Sequence, residues 1–517
     1  MSESKNHEIV RNLSVVSFFT LISRVLGLLR DICIAYFFGA GVATDAFFVA
    51  FRIPNLFRRL FGEGGLSASF IPVYSGSLVK KGARDSQDLL MTVFTVLFFV
   101  LLFLSVIGVL FSFVFVVITA PGFLNKPVQF HLTLFLTRAM FPYIFLIGLA
   151  AFFAGVLNVH GSYAPGAMYP IILNIAVIIS AIFLRPFFHE GIYALAVGVM
   201  AGGILQVLSQ LYYIKRKNIK LGLRFNLKNS DVKTVFRLLV PSLLGMAVIQ
   251  LNLLFDTLLA SFLPSGSISY LYYGDRLYQF PLGVFAIALQ TVIFPALSVS
   301  FAREDVKEVN SAFNFSTSLM FFIIVPSSVG LILLRNHLVR LIYMHGVFNL
   351  ADAQKTASVL LFFVIGLWAS ALLRTVIPVF YSMKDTKTPV NAAVYSLILN
   401  IILAVILMQI MGVGGLALAS SISLIFNYLF LLRRLYLKRV ISLGRGFFKS
   451  FVRTMIASIV MGIFVGFTII ILGGLNYGSL IIVSVALIVG ALSYLFTSFA
   501  LKNESFYTIR QVLSKRS

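Results

Sequence analysis

The sequence predicts an all-α polytopic membrane protein of about fourteen transmembrane helices, arranged as two pseudo-symmetric six-helix lobes followed by two C-terminal helices. Three observations carry that expectation. The 517-residue chain is 60% hydrophobic and 11% charged, with a mean hydropathy of +1.00; a soluble domain is about half apolar and about a quarter charged. Apolar runs of about twenty residues recur along it, the length at which a helix crosses the hydrocarbon core. Two short motifs also repeat at nearly one offset. The alternating ten-residue segments of a membrane β-barrel are not seen.

Taken in order, the first span is expected at 11–38. It follows a polar leader, MSESKNHEIVRN, contains Arg24 and Arg30 and has no small-residue cleavage site, so it does not read as a removable signal. The second, 43–79, is too long for one straight helix and is interrupted by Pro54, Gly62, Gly64, Gly65 and Pro72. Such breaks are tolerated in a membrane where protein or a water-filled cavity satisfies the freed backbone groups. Spans three to six are expected at 89–119, 131–158, 165–185 and 191–214. The seventh, 235–263, holds Asp256 in its middle; the eighth, 268–300, begins YLYYGDRLYQFP and so carries Asp275 and Arg276 among aromatic residues. Spans nine to twelve follow at 309–334, 356–383, 389–411 and 413–436, and the last two at 451–472 and 478–501.

The repeat sets the domain organisation. LLRDICIAYF (Leu28 to Phe37) aligns with LLFDTLLASF (Leu253 to Phe262), matching Asp31 to Asp256 at an offset of 225. IILNI (Ile171 to Ile175) aligns with LILNI (Leu397 to Ile401), matching Asn174 to Asn400 at an offset of 226. An offset of six spans relates two lobes of the same orientation about an axis along the membrane normal, an arrangement found in transporters that rock. The expected boundaries are 1–230 for the first lobe, 231–445 for the second and 446–517 for the terminal pair with its tail.

The net charge of +24 is concentrated in clusters between apolar runs, as topology determinants are, which argues against nucleic acid as a partner. The connections after even-numbered spans are basic: Lys80, Lys81 and Arg84, then Lys215 to Lys233, then Arg303 and Lys307, then Lys384 and Lys387, then Arg433 to Lys449. Those after odd-numbered spans are short and nearly neutral, apart from Arg335 and Arg340. Both termini are therefore expected in the cytoplasm. The one cysteine, Cys33, excludes a disulfide framework and a cysteine-based metal site. No Walker A stretch appears, and the six histidines do not pair at metal spacing. The chain does not read as an enzyme.

The charges inside spans carry the chemistry. A charge at bilayer depth costs about 2.5–3.5 kcal/mol on insertion scales. Ser23 to Glu63 nevertheless holds Arg24, Arg30, Asp31, Asp45, Arg52, Arg58, Arg59 and Glu63. A single arginine can snorkel to an interface; several in succession point to a watery cavity or an ionic ligand. Guanidinium forks bind phosphate oxygens in bidentate pairs and keep their charge at every relevant pH. A diphosphate suits such a group of arginines, whereas an organic cation would be repelled. Asp256 reads either as a neutral, hydrogen-bonded side chain or as part of a site for a monovalent cation or proton, with Asn400, Ser420 and Ser421 as further oxygens.

At this point SRVLGLLRD, followed by FFGAGVATDAFFVAFRIPNLFRRLFGEGGLSASFIPVY, resembles the MurJ/MviN family, the lipid II flippases of bacterial cell-wall synthesis. KDTKTP (Lys384 to Pro389) and YGDRLYQFPLGVF (Tyr273 to Phe285) resemble it too, and the likeness runs essentially end to end. The resemblance implies a fold of the MOP exporter superfamily in a bacterial inner membrane, with the last two helices shaping a groove for a lipid tail. It implies a monomeric carrier of undecaprenyl-diphosphate bearing a disaccharide-pentapeptide. It carries the family's functional arginines onto Arg24, Arg30, Arg58 and Arg276, its acidic residue onto Asp45, and polar cavity positions onto Asn55 and Glu63. Gln279 stands where some members have Glu. The family's cation site maps onto Asp256, with Asn400 in place of a carboxylate and Ser420 beside it; Na+ or H+ is thus the candidate coupling ion, with no other cofactor. Flipping of another polyprenyl-linked glycan, or export of drugs or metabolites on the same fold, are the alternative functions. Alternating access is the expected mechanism, driven by the membrane potential or an ion. Moving one charge through 100 mV is worth about 2.3 kcal/mol, and a potential negative inside favours outward movement of an anionic headgroup.

Overall fold

A computed structural model describes residues 3–60, 65–286, 299, 306–442 and 444–514, and all regular structure among them is helical. The helices are α1 (Glu3–Phe38), α2 (Val42–Leu60), α3 (Leu66–Lys80), α4 (Gly82–Leu110), α5 (Ser112–Thr119), α6 (Pro127–Met140), α7 (Tyr143–Val159), α8 (Ala164–Phe183), α9 (Tyr193–Arg216) and α10 (Ser230–Ser261). They continue with α11 (Ser267–Pro281), α12 (Val306–Tyr343), α13 (Leu350–Ile365), α14 (Leu367–Ser382), α15 (Lys387–Met411), α16 (Val413–Leu437), α17 (Arg445–Gly474), α18 (Ser479–Ala500) and α19 (Glu504–Ser514). Helices occupy each of the fourteen expected spans, with a π-helical turn at Leu282–Ala286 after α11. Ten segments among the described residues are long and apolar enough to cross a membrane. Helix α2 is not one of them, because Asp45, Arg52, Arg58 and Arg59 crowd its nineteen residues.

Several spans are jointed where the sequence weakens the helix. The second divides into α2 and α3; Gly62, Glu63 and Gly64, expected at that break, lie outside the described residues. The fourth divides at Pro142, whose ring removes a backbone donor, and the tenth at Gly366. Gly366 is also a close approach: a Cβ there would lie 2.8 Å from the Cα of Ser421 on α16.

The helices pack as two units, Met1–Ser269 and Tyr270–Ser517. In the first, the buried core draws on α2, α3, α4, α7, α9 and α10, with Phe70, Tyr74, Leu97, Phe141, Phe152 and Val235 among its side chains. Helix α8 lies between α1 and α9. In the second, Phe322 and Leu334 of α12 pack with Met461 and Val465 of α17 and with Ala486 and Tyr494 of α18. Helix–helix association in lipid gains little from hydrophobicity and relies on small residues and polar contacts. Both occur at α8/α9: a Cβ on Gly198 would lie 2.9 Å from the Cα of Val177, and Gln206 and Gln210 donate to the carbonyls of Tyr169 (2.7 Å) and Pro165 (2.8 Å).

The connections pair by parity. Lys81, after the second span, bonds Asp231, after the sixth, at 2.8 Å. Lys438, after the twelfth, bonds Asp385, after the tenth, at 2.7 Å. Asn310, at the start of the ninth and so beside the connection that follows the eighth, donates to Ser442, after the twelfth, at 3.1 Å. Lys126, after the third, donates to the carbonyls of Ser261 and Leu263, at the end of the seventh. Even meets even and odd meets odd, as a chain that crosses the bilayer at every span requires.

Candidate functional site

Helix α1 places Arg30 against α8. The guanidinium is 12% exposed and Asp31 fully buried. Arg30 donates to Asp31 Oδ1 from Nε (3.1 Å) and Nη2 (2.7 Å), and from Nη1 to Asn174 Oδ1 (3.1 Å). Asn174 in turn donates to the Ser23 carbonyl at 3.1 Å. A buried arginine held by a carboxylate and an amide keeps a fixed direction. The repeat had singled out Asp31 and Asn174 as matched positions; the structure makes both partners of Arg30.

Arg58 stands near the end of α2, half-buried, and its Nε donates to Asn55 Oδ1 at 2.9 Å, one turn earlier on the same helix. The hydroxyl of Tyr143, the first residue of α7, belongs to a buried side chain. That hydroxyl donates to Gln206 on α9 at 3.3 Å. Arg59, beside Arg58, donates to Gln250 on α10 at 3.4 Å. Arg24, six residues before Arg30, is exposed.

Asp45 is placed differently. It begins the same helix as Arg58, thirteen residues earlier, which is about 20 Å along the axis. The carboxylate is 1% exposed. Oδ2 accepts from the Gly266 backbone (2.7 Å) and from Gln129 (3.4 Å), and Oδ1 from the Ser269 backbone (2.8 Å) and its hydroxyl (2.6 Å). The first turn of a helix leaves backbone donors without intrahelical partners. Asp45 fills that need for α11 from a distant helix, as a local capping residue would.

The other expected residues fall as follows. Glu63 lies outside the described residues. Arg276 is half-buried on α11 in the second unit. Gln279 donates to Asp275 one turn back. Asp256 is half-buried on α10 in the first unit, whereas Asn400 and Ser420 are buried in the second, 3.5 Å apart. Among the described residues no three of His, Cys, Asp and Glu group as metal ligands. Sequence reasoning missed Lys126, Gln129 and Tyr143. The signal for Gln129 and Tyr143 is weak, a polar atom within or beside an apolar run; Lys126 is a lone cation in a short connection.

A family model described as lipid II flippase MurJ matches residues 34–488. The chain is 35% identical over 453 residues to a probable lipid II flippase MurJ of Buchnera aphidicola subsp. Acyrthosiphon pisum (strain APS), covering 88% of this chain and 89% of that protein. A solved structure of lipid II flippase MurJ, in an inward closed conformation, matches with a TM-score of 0.79 and 30% identity, over 93% of this chain and 97% of that one. An inward-facing multidrug resistance MATE family transporter of the MOP superfamily matches with a TM-score of 0.68 over 82% of this chain and 98% of that one; at 13% identity this likeness concerns the fold alone.

Proposed function

The chain belongs to the lipid II flippase MurJ family, and from that premise we propose that it moves lipid II from the cytoplasmic to the outer leaflet by alternating access. The cargo is undecaprenyl-diphosphate carrying a disaccharide-pentapeptide, and both termini face the cytoplasm. The headgroup enters a cavity open to the inside. Arg24, Arg30, Arg58 and Arg276 neutralise the diphosphate, with Asn55 holding Arg58 in place. Residues 1–230 and 231–445 form the rocking lobes, and 446–517 shape the path of the tail.

The buried Arg30 guanidinium, fixed in direction by Asp31 and Asn174 within the first unit, supports this reading most directly. A diphosphate offers oxygens that guanidinium forks bind in bidentate pairs. We assign Asp45 a positioning role, because its oxygens already accept four hydrogen bonds. The parity of the connections supports the orientation together with the Lys/Arg bias.

Binding of lipid II to the purified protein in nanodiscs tests the clamp. Arg24→Ala and Arg276→Ala should each weaken binding about tenfold or more, as loss of a charge-assisted contact does. Wild-type binding by both variants would overturn it.

A further inference from the structure

Within the first unit, the connection between α5 and α6 grips the end of α10. The Gly122 amide donates to Ser261 Oγ at 2.9 Å, and Lys126 Nζ donates to the carbonyls of Ser261 (3.0 Å) and Leu263 (2.5 Å). The ammonium also lies 5.7 Å from the centre of the Phe123 ring. The fit at Gly122 is close: a Cβ there would lie 2.5 Å from the Ser261 carbonyl carbon and oxygen. Lys126 meets carbonyls left over at a helix C-terminus, where a cation is favourable. Five residues further on, Asp45 meets amides at the N-terminus of α11, where an anion is favourable. The α10–α11 turn is therefore held at both helix ends by charges of the matching sign, and Ser265 adds a bond to Gln129 at 2.9 Å. Burial pulls the Lys126 ammonium below its usual pKa, and the Asp45 carboxylate draws it back up.

We propose that Lys126 is a positioning residue for transport: it anchors the outer end of α10 to the connection between α5 and α6, and the anchor must loosen during each cycle. The proposal rests on the alternating-access reading. Helix α10 matters to the site because it presents Gln250 to Arg59, eleven residues or about 16 Å from Ser261. The chain passes from the first unit to the second just beyond this anchor, at Ser269 and Tyr270.

The test uses the full-length protein in nanodiscs. Leu124 and Phe262, both exposed, are replaced by cysteine in a Cys33→Ser background and bridged with a short bifunctional maleimide. Without cargo, Lys126→Met should lower the cross-linked to uncross-linked ratio about tenfold. Lys126→Arg, which keeps the charge, should restore most of it. Adding lipid II should loosen the wild type and leave Lys126→Met with little further change, a response that a purely structural contact would not give. Equal cross-linking in wild type and Lys126→Met, with or without lipid II, overturns the anchor. If Lys126→Met fails to insert, Ser261→Ala removes the Gly122 bond, together with the bond from the Ser261 hydroxyl to the Leu258 carbonyl inside α10, and should loosen the pair to a smaller degree; unchanged cross-linking there counts against the proposal. A protein that loosens on Lys126→Met yet binds and moves no lipid II would uphold the anchor and refute the cargo.

Discussion

Arg30→Ala should have two separable effects, one on stability and one on transport. Asp31 is fully buried and the guanidinium is 12% exposed, so the pair is nearly withdrawn from solvent. Removing one partner of a buried ion pair costs about 3–5 kcal/mol, because the remaining charge is left in a poor solvent. Arg30→Ala also frees Asn174 Oδ1 from a hydrogen bond. Adding Asp31→Asn takes away the stranded charge, so the double variant should recover most of that loss. The guanidinium proposed to meet the diphosphate is still missing, and transport should stay absent. Thermal unfolding of the purified protein reads the first effect and lipid II translocation in proteoliposomes the second. Full transport by the stable double variant would show that Arg30 serves only to neutralise Asp31. An Arg30→Ala variant as stable as wild type would refute the buried-pair energetics.

Three further outcomes follow from other contacts. Asp45→Ala should strand the Gly266 and Ser269 amides at about 1–3 kcal/mol for each buried donor, lowering the unfolding temperature; Asp45→Asn should retain part of the loss, since one oxygen still accepts. Gly198→Ala should force α8 and α9 apart and destabilise by about 1–3 kcal/mol in a detergent melt, because its new methyl meets the Val177 backbone. Lys438, with help from the Thr388 amide, holds the Asp385 carboxyl below its usual range, at about 2. The folded pKa being depressed, the contribution is complete above about pH 4 and lost as pH falls toward 2. With Lys438 42% exposed it is worth about 0.2–1 kcal/mol. Unfolding midpoints of Asp385→Asn and wild type should differ at pH 6 and converge near pH 2.

The spans were legible because lipid leaves the backbone one helical solution and demands apolar side chains over its whole thickness. The arginines were legible for the converse reason, that a charge in such a run is too costly to be incidental. Their partners were partly so. Asp31 and Asn174 stood out through the repeat, although nothing in the sequence joins Asn174 to Arg30, 144 residues away. Asp45 was read as a cavity residue, and its bonds to Gly266 and Ser269 span 221 and 224 residues, beyond any local pattern. Lys126 was hidden in a connection whose near-neutrality was itself the topology signal. The joint at Phe111, between α4 and α5, has no proline to announce it.

Arg24 offers the cleanest test of the central claim, because it is exposed and its loss should change stability by no more than about 0.5 kcal/mol. The measurement is the leaflet distribution of lipid II in the protein's own host after depletion of the chromosomal copy. The diphosphate clamp predicts that lipid II accumulates in the cytoplasmic leaflet, and that wild type relieves this while an equally abundant Arg24→Ala protein does not. Relief by Arg24→Ala, or stalling of a different lipid-linked glycan while lipid II crosses normally, would contradict it.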